Sequence, residues 1–416
     1  MEKQSRGVIA FLFENSLFLI IGAVAGLVWA NLDHILGSHG YHAFLHAELF
    51  VNDFIGTPKV IDGVATRVID VHFLVSDILM AFFFAIAGKE IWEATLPGGP
   101  LNNPRKAATP IVAAIGGMAG PALIYLWGTS LIGRFDELSN GWAIPCATDI
   151  AFSYMIARII FGSGHPAIPF LLLLAIADDA MGLLILAIFY PQGEIQIMWM
   201  LLPVLGIVVG LIMRKYRFES FWWYILIPGT LSWIGFAMTG VHPALGLLPI
   251  IPTLPHAHVD KGLFNWEELQ ATDTLNKFEH WWKNPVEIIL MLFGLLNAGV
   301  VFSAIGSPTY LVLVGLLVGK PIGIWLFGMF TAKVMKFGMP EGINSKDLVV
   351  IGFAAGIGFT VALFVATVAF PAGDIQDAAK MGALASFLAA GLTFLSAKIL
   401  KVQKVEASPE TAAAHH

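Results

Sequence analysis

Residues 171–190 read LLLLAIADDAMGLLILAIFY. The run is apolar from end to end except at Asp178 and Asp179, which fall in its middle. An apolar helix of about 20 residues crosses the roughly 30 Å of hydrocarbon in a bilayer. A carboxylate at its centre costs about 2.5 kcal/mol or more, even on lenient insertion scales. Two adjacent carboxylates at that depth point to a site. The rest of the chain has to supply what offsets their cost.

The chain has 416 residues, 57% of them hydrophobic and only 12% charged, with a mean hydropathy of +0.78. A soluble domain carries about 25% charged residues. Apolar runs recur throughout, so the composition predicts an all-α polytopic membrane protein. Residues 1–406 read as a single transmembrane domain, and 407–416, ending in TAAAHH, as a tail or tag remnant. One cysteine, Cys146, excludes an intramolecular disulfide framework. The start, MEKQSRGVIAFLFENSLFLII, has no clear small-residue cleavage site and reads as a retained first helix. Gly-x-Gly matches such as GIGF lie in helices, not after strands. With no Walker, HExxH or Cys/His pattern, the chain is expected to be neither an enzyme nor a nucleotide- or nucleic-acid-binding protein, and to need no cofactor.

Twelve membrane segments are expected. The first runs from about Val8 to Ala30, the second from Val71 to Leu96 and the third from Ala107 to Leu131. Between the first two, KVIDGVATRVID alternates around Asp62-Gly63 and predicts a β-hairpin outside the membrane. The fourth segment, GWAIPCATDIAFSYMIARIIF, contains Pro145 and a central Thr148-Asp149, and is expected to be interrupted. The opening stretch is the fifth. The sixth and seventh run over about Ile195–Met213 and Phe221–Met238, and MTGVHPALGLLPIIP is a short, broken eighth. A polar loop over about Thr253–Asn284 leads to the ninth, Pro285–Phe302. The tenth carries Lys320 before Pro321. The eleventh has Gly352, Gly356 and Gly358 and is expected to unwind, and the twelfth covers about Ala378–Ile399.

With both ends cytoplasmic, 17 of the 23 Lys and Arg residues fall in inner segments, and only Lys59, Arg67, Arg134 and Lys380 in outer ones. That bias supports twelve spans. Segments three to five run whole, broken, whole, and so do ten to twelve. Paired interrupted segments point to inverted three-helix repeats with a site where helices 4 and 11 cross. On this reading 105–190 and 308–401 form a core bundle, and 8–97 and 221–302 an interface part.

Consecutive helix positions diverge by about 100°, so Asp178 and Asp179 cannot face one partner equally. One can face an ion and the other a counter-charge. Two such carboxylates do not both ionise freely and titrate as a coupled pair. They take protons at low pH and a hard cation such as Na⁺ or Li⁺ at high pH. Lys320 lies about ten residues from either end of its segment, too deep to snorkel easily. It is expected to pair with a deep acid (Asp77, Asp149, Asp178 and Asp179 are available), with Asp178 favoured. Broken helices leave dipole ends at mid-membrane. Asp149 is placed to compensate positive ends and Lys320 negative ones, while Thr148 offers oxygen near the cation. Asp77 lies mid-way along the second segment, where it could line a crevice. His242 opens the eighth segment, where a titrating and a purely structural histidine are both open readings. Glu90 and the loop residues Glu279 and His280 could form a pH-responsive cluster, or be plain solvated charges.

Several strings, in order, carry a resemblance: GWAIPCATDIAF, ADDAMG, TGVHPALG, FEHWW followed by LLNAGV, VGLLVGKPIGI and GIGFTVALFVATVAF. The chain resembles the NhaA family of bacterial Na⁺/H⁺ antiporters over essentially its whole hydrophobic length. The resemblance implies an electrogenic exchanger of the bacterial inner membrane, typically dimeric through an extracellular β-hairpin. It implies that Asp178 and Asp179 bind the ion and proton, and that Lys320 is the partner of Asp178. Thr148 and Asp149 would be the broken-helix positions and Asp77 a crevice-lining acid. Glu90, His242, Glu279 and His280 would be positions linked to pH response. After AGKE the family usually has a basic pair and a second acid. Here IWEATL follows, which alters the charges around Glu90. A Na⁺-coupled organic-anion symporter on a related broken-helix fold is the alternative reading. It would need cationic groups beyond Lys320. An intramembrane aspartyl protease needs carboxylates facing each other from different helices, which adjacent positions fit poorly.

Overall fold

In a computed structural model the described residues are 13, 16–61, 64–102, 104–256 and 273–405. The expected helix start at Val8, the Asp62-Gly63 turn, most of the polar loop and the 407–416 tail lie outside them. In chain order, α1 is Leu17–Leu36 and α2 is Gly40–Leu45. Strands β1 (Glu48–Asn52), β2 (Thr57–Ile61) and β3 (Val64–Asp70) come after them. Next come α3, Val71–Thr95, α4, Ala107–Leu131 with a first turn from Pro104, and α5, Phe135–Cys146. After them come α6, Ile150–Phe161, α7, Ala167–Phe189, α8, Ile197–Lys215, and α9, Phe221–Thr239. Then come two 3₁₀ turns, Pro243–Leu245 and Leu248–Thr253, and α10, Thr274–Asn297. The last helices are α11, Ser307–Lys333, α12, Ser345–Ala355, α13, Phe359–Ala369, and α14, Asp374–Leu400.

Among the described residues, eight helices are long and apolar enough to span a membrane, or ten when each bent pair counts as one span. The bent pairs are α5–α6, at 51°, and α12–α13, at 54°. They are the fourth and eleventh segments that the sequence marks as interrupted.

Three expectations need correction. The polar stretch after the first segment starts later, because α1 continues to Leu36, and it holds a three-stranded sheet with the order β1-β3-β2. The β2–β3 hairpin has the register that KVIDGVATRVID predicts, with Ile61 opposite Val64 and Thr57 opposite Val68. The extra strand β1, ELFVN, lacks polar alternation and was invisible to that criterion. Second, Glu279 and His280 are not in a loop. They lie on α10, which starts at Thr274 with the Asp273 carboxylate accepting the Asn276 N–H at 2.8 Å. Pro285, read as a helix start, sits inside this helix. Third, Lys380 is not in an outer segment. It is a buried residue of α14.

Two compact units divide the chain. Of the described residues, unit 1 holds those up to 89, 186–256 and 273–301; unit 2 holds those in 90–185 and 302–405. In unit 1, α1 packs on α10. Tyr41 locks the pair by donating its hydroxyl to the Leu296 carbonyl at 2.7 Å. In unit 2, α4 crosses α11 at glycines. A Cβ on Gly323 would stand 1.9 Å from the Gly116 carbonyl, and one on Gly120 2.3 Å from the Gly319 carbonyl. Only hydrogen fits at this crossing, and it sets the depth at which α11 presents Lys320.

Two functional candidates sit at π turns. Leu74–Leu79 in α3 contains Asp77, and Gly315–Gly319 in α11 immediately precedes Lys320. A π turn inside an α-helix shifts the register of the residues after it and recurs at functional sites. In α11 the cause is local: Pro321 has no N–H, so the Leu317 carbonyl loses its usual partner. Nothing in the sequence explains the turn in α3.

Candidate ion site

In unit 2 the two helix breaks face each other. α5 ends in a 3₁₀ stretch, Ser139–Cys146, with Pro145 near its end. Residues Ala147 and Asp149 are extended, and α6 restarts at Ile150. In the other break the chain passes through Gly356, Ile357 and Gly358 before α13 restarts. The Asp149 N–H donates to the Ile357 carbonyl at 2.7 Å, tying one break to the other.

One carboxylate serves both restarting helices. Asp149 accepts the Phe152 N–H of α6 at 3.4 Å and the Thr360 N–H of α13 at 3.3 Å, and the Thr360 hydroxyl also donates to it. Helix N-termini carry unpaired N–H groups and partial positive charge. A single anion shared by both is the economical way to hold two of them in hydrocarbon. The opposite ends are treated likewise. Lys320 Nζ donates to the carbonyl of Cys146, the last residue of α5. The Ser153 hydroxyl donates to the Ala354 carbonyl at the end of α12, at 2.8 Å.

Asp178 is set against this crossing by α7. Its Oδ2 lies 2.9 Å from Lys320 Nζ and accepts the Thr148 hydroxyl at 2.6 Å. All three side chains are buried, Lys320 completely. The second oxygen, Oδ1, is buried and has no hydrogen-bond partner. Asp179, one step round the helix, is half-buried and accepts no hydrogen bond among the described residues. The pair therefore has one carboxylate tied to a cation and one uncommitted. Their oxygens, with the Thr148 hydroxyl, form a hard-oxygen donor set suited to a proton or a small alkali cation.

Unit 1 holds a second deep acid. Asp77 Oδ1 lies 3.8 Å from His242 Nε2, and its carbonyl accepts the Trp233 indole N–H at 3.0 Å. His242 is buried, and its Nδ1 accepts the Ala244 N–H at 3.2 Å. Nδ1 is thus the lone-pair nitrogen, and in the neutral ring Nε2 carries the hydrogen that faces Asp77. Asp77 also lines a cavity of about 360 Å³ with Arg67, Thr57, Gln192 and Glu194.

The other candidates lie on α3 and α10. Glu279 forms an ion pair with Lys89. Glu90 is half-buried on α3, and His280 is exposed on α10. Sequence reasoning missed Thr360, the Cys146 carbonyl, Ser153 and the Asp77–His242 approach. Each is a partner more than 150 residues away in the chain, and no local pattern announces it.

A polytopic helical chain with facing helix breaks, a buried lysine–aspartate pair and an uncommitted neighbouring carboxylate falls in the class of broken-helix membrane proteins. The chain belongs to the family described as Na⁺/H⁺ antiporter 1, which matches residues 11–397. It is 52% identical to a protein of Jannaschia sp. (strain CCS1) named Na(+)/H(+) antiporter NhaA, over 95% of this chain and 98% of that one. Relatives with the same name in Desulfitobacterium hafniense and Geobacter metallireducens are each 46% identical over 96% of this chain, covering 97% and 100% of their own length.

Proposed function

We propose that this chain is a Na⁺/H⁺ antiporter of the bacterial inner membrane that exchanges cytoplasmic Na⁺ or Li⁺ for external protons by alternating access. The full-length match to relatives named as such supports the exchange itself. The observation that carries the mechanism is the unequal pair. Asp178 is held by Lys320 and Thr148, while Asp179 beside it is uncommitted. Na⁺ or a proton takes Asp179, and Na⁺ also draws on Asp178, loosening its bond to Lys320. Lys320 is then able to release a proton of its own. Loaded and protonated forms reorient, and the doubly ionised empty form does not, which couples the two ions. Unequal charge exchange makes transport electrogenic, and the membrane potential contributes about 2.3 kcal/mol per charge per 100 mV.

The chain crosses the membrane twelve times, with inverted repeats and both ends cytoplasmic. The 3₁₀ turns within Pro243–Thr253 and helix α10 are two of these crossings. Dimerisation runs through the β-sheet, whose edge strand β1 exposes Leu49, Phe50 and Val51. Asp77, Glu90, His242, Glu279 and His280 adjust the pH response. The test is Asp179→Asn in proteoliposomes. Na⁺-driven proton flux is expected to fall at least 100-fold, and flux at the wild-type level would remove Asp179 from the site.

A further inference from the structure

A third irregular helix meets the two breaks in unit 2. At Ser386 and Phe387 the hydrogen bonds of α14 tighten to the 3₁₀ pattern. The Ser386 N–H donates to the Ala383 carbonyl at 3.2 Å, and the Ala389 N–H to the Ser386 carbonyl at 2.9 Å. The Phe387 ring packs against Phe152 of α6 and Phe359 of α13, with centroids 5.3 and 4.6 Å away. The joint in α14 therefore lies level with the crossing. Ser386 is fully buried, and its hydroxyl has no hydrogen-bond partner among the described residues. A buried donor left idle is costly and asks for a reason.

A carbonyl short of its usual donors faces the same place. In the π turn before Lys320, the Lys320 N–H donates to the Gly315 carbonyl. Residue 321 is proline and has no N–H. The Leu316 carbonyl thus receives neither the N–H four residues on nor the one five residues on. It points at the α12–α13 break, since a Cβ on Gly356 would stand 2.9 Å from the Leu316 oxygen. The same Cβ would stand 3.5 Å from the Ala389 Cβ of α14. Further up α14, Gly382 packs on α11, where a Cβ would stand 2.8 Å from the Val312 Cβ. Ser386 falls between Gly382 and Ala389 on one face of α14, four residues after the first and three before the second. Its hydroxyl is therefore beside the stretch of α11 from Val312 to Leu316.

Given the exchange reading above, in which a cation loosens Lys320 from Asp178, we infer that Ser386 is a positioning residue for transport: its hydroxyl donates to the Leu316 carbonyl once Lys320 is released. In this structure Lys320 is held by Asp178 and by the Cys146 carbonyl. The π turn behind it is held with it, and the Ser386 hydroxyl has no partner. A cation that frees Lys320 lets the π turn rotate slightly, and the hydroxyl meets the carbonyl. The new bond exists only in the loaded form. It favours cation binding without stabilising the empty form, which is what a differential contact must do to shift an equilibrium.

The test follows thermal unfolding of the full chain in detergent, in choline chloride and across a NaCl series at constant ionic strength. The apparent Kd for Na⁺ is taken from the Na⁺-dependent rise in Tm. Ser386→Ala removes a hydroxyl that is idle in the Na⁺-free form. The variant is expected to unfold no earlier than wild type in choline chloride, and to raise the Kd for Na⁺ by about threefold or more, the worth of one modest hydrogen bond. Pro321→Ala returns an N–H to the π turn, so in that background Ser386→Ala should raise Kd by less than about 1.5-fold, the non-additivity expected of two groups that serve one carbonyl. A serine that only packs the joint would lower Tm equally in both salts. That result, an unchanged Kd for Na⁺, or the same fold-change in both backgrounds would overturn the proposal while leaving the exchange reading intact. A wild type that Na⁺ does not stabilise at all would overturn both.

Discussion

Each unit of this antiporter buries a carboxylate next to a basic side chain, but it does so in opposite ways. In unit 2, Asp178 touches Lys320 at 2.9 Å and Thr148 at 2.6 Å, and all three are buried. In unit 1, Asp77 stands 3.8 Å from His242 and faces a cavity. The first acid is closed by contacts, and the second is open to solvent-sized space. A closed pair holds its charge state until an ion displaces a partner. An open one exchanges with whatever fills the cavity. The contrast teaches that burial alone does not identify the working carboxylate. What distinguishes the Asp178 region is a fixed counter-charge beside a neighbour, Asp179, that has none.

The largest effect expected from this contrast is at Lys320. Lys320→Met leaves the buried Asp178 carboxyl without its cation, which destabilises by about 3–5 kcal/mol when a buried pair is broken from one side. Adding Asp178→Asn should restore most of that loss in detergent unfolding assays without restoring transport. No recovery in the double variant would mean that Lys320 acts through Cys146 rather than through Asp178. Next in size is Asp149. Asp149→Ala removes the cap of both α6 and α13, at about 1 kcal/mol each, for about 2 kcal/mol in all. Asp149→Asn keeps an accepting oxygen and should lose less than half as much. If the two variants unfold alike, charge rather than capping is what the crossing needs. The smallest effect is expected at Asp77. Asp77→Asn should change stability by less than about 1 kcal/mol, because a partly solvated pair at long range is weak. A loss as large as that of Lys320→Met would erase the distinction between closed and open acids.

Much of this was legible in the sequence, for identifiable reasons. Two carboxylates in an apolar run, a lysine at the same depth and a proline or glycine cluster in two other runs are each expensive unless used. Their combination predicted both bent helix pairs and the Asp178–Lys320 pairing. The residues that finish the site were not legible. Thr360 is an ordinary threonine in an apolar helix, 211 positions from Asp149. Its importance exists only once the two breaks meet. The misreading of FEHWW as loop has a different origin. Average hydropathy counts polar residues without regard to their position round the helix. In α10, Leu275, Phe278 and Trp282 recur at helical spacing and are buried, whereas Lys277, His280 and Lys283 are exposed. The Asp273 cap was the overlooked start signal.

The central claim is that protons and Na⁺ compete for the oxygens of one carboxylate pair. The most direct measurement is the apparent KM for Na⁺ in proteoliposomes as a function of pH, at fixed ΔpH and zero membrane potential. Competition predicts that KM rises about tenfold for each unit the pH falls on the acid side of the site's midpoint when one proton competes, while the maximal rate at saturating Na⁺ stays nearly constant. A KM that does not move with pH, with only the maximal rate falling, would contradict the account and put the pH response outside Asp178 and Asp179.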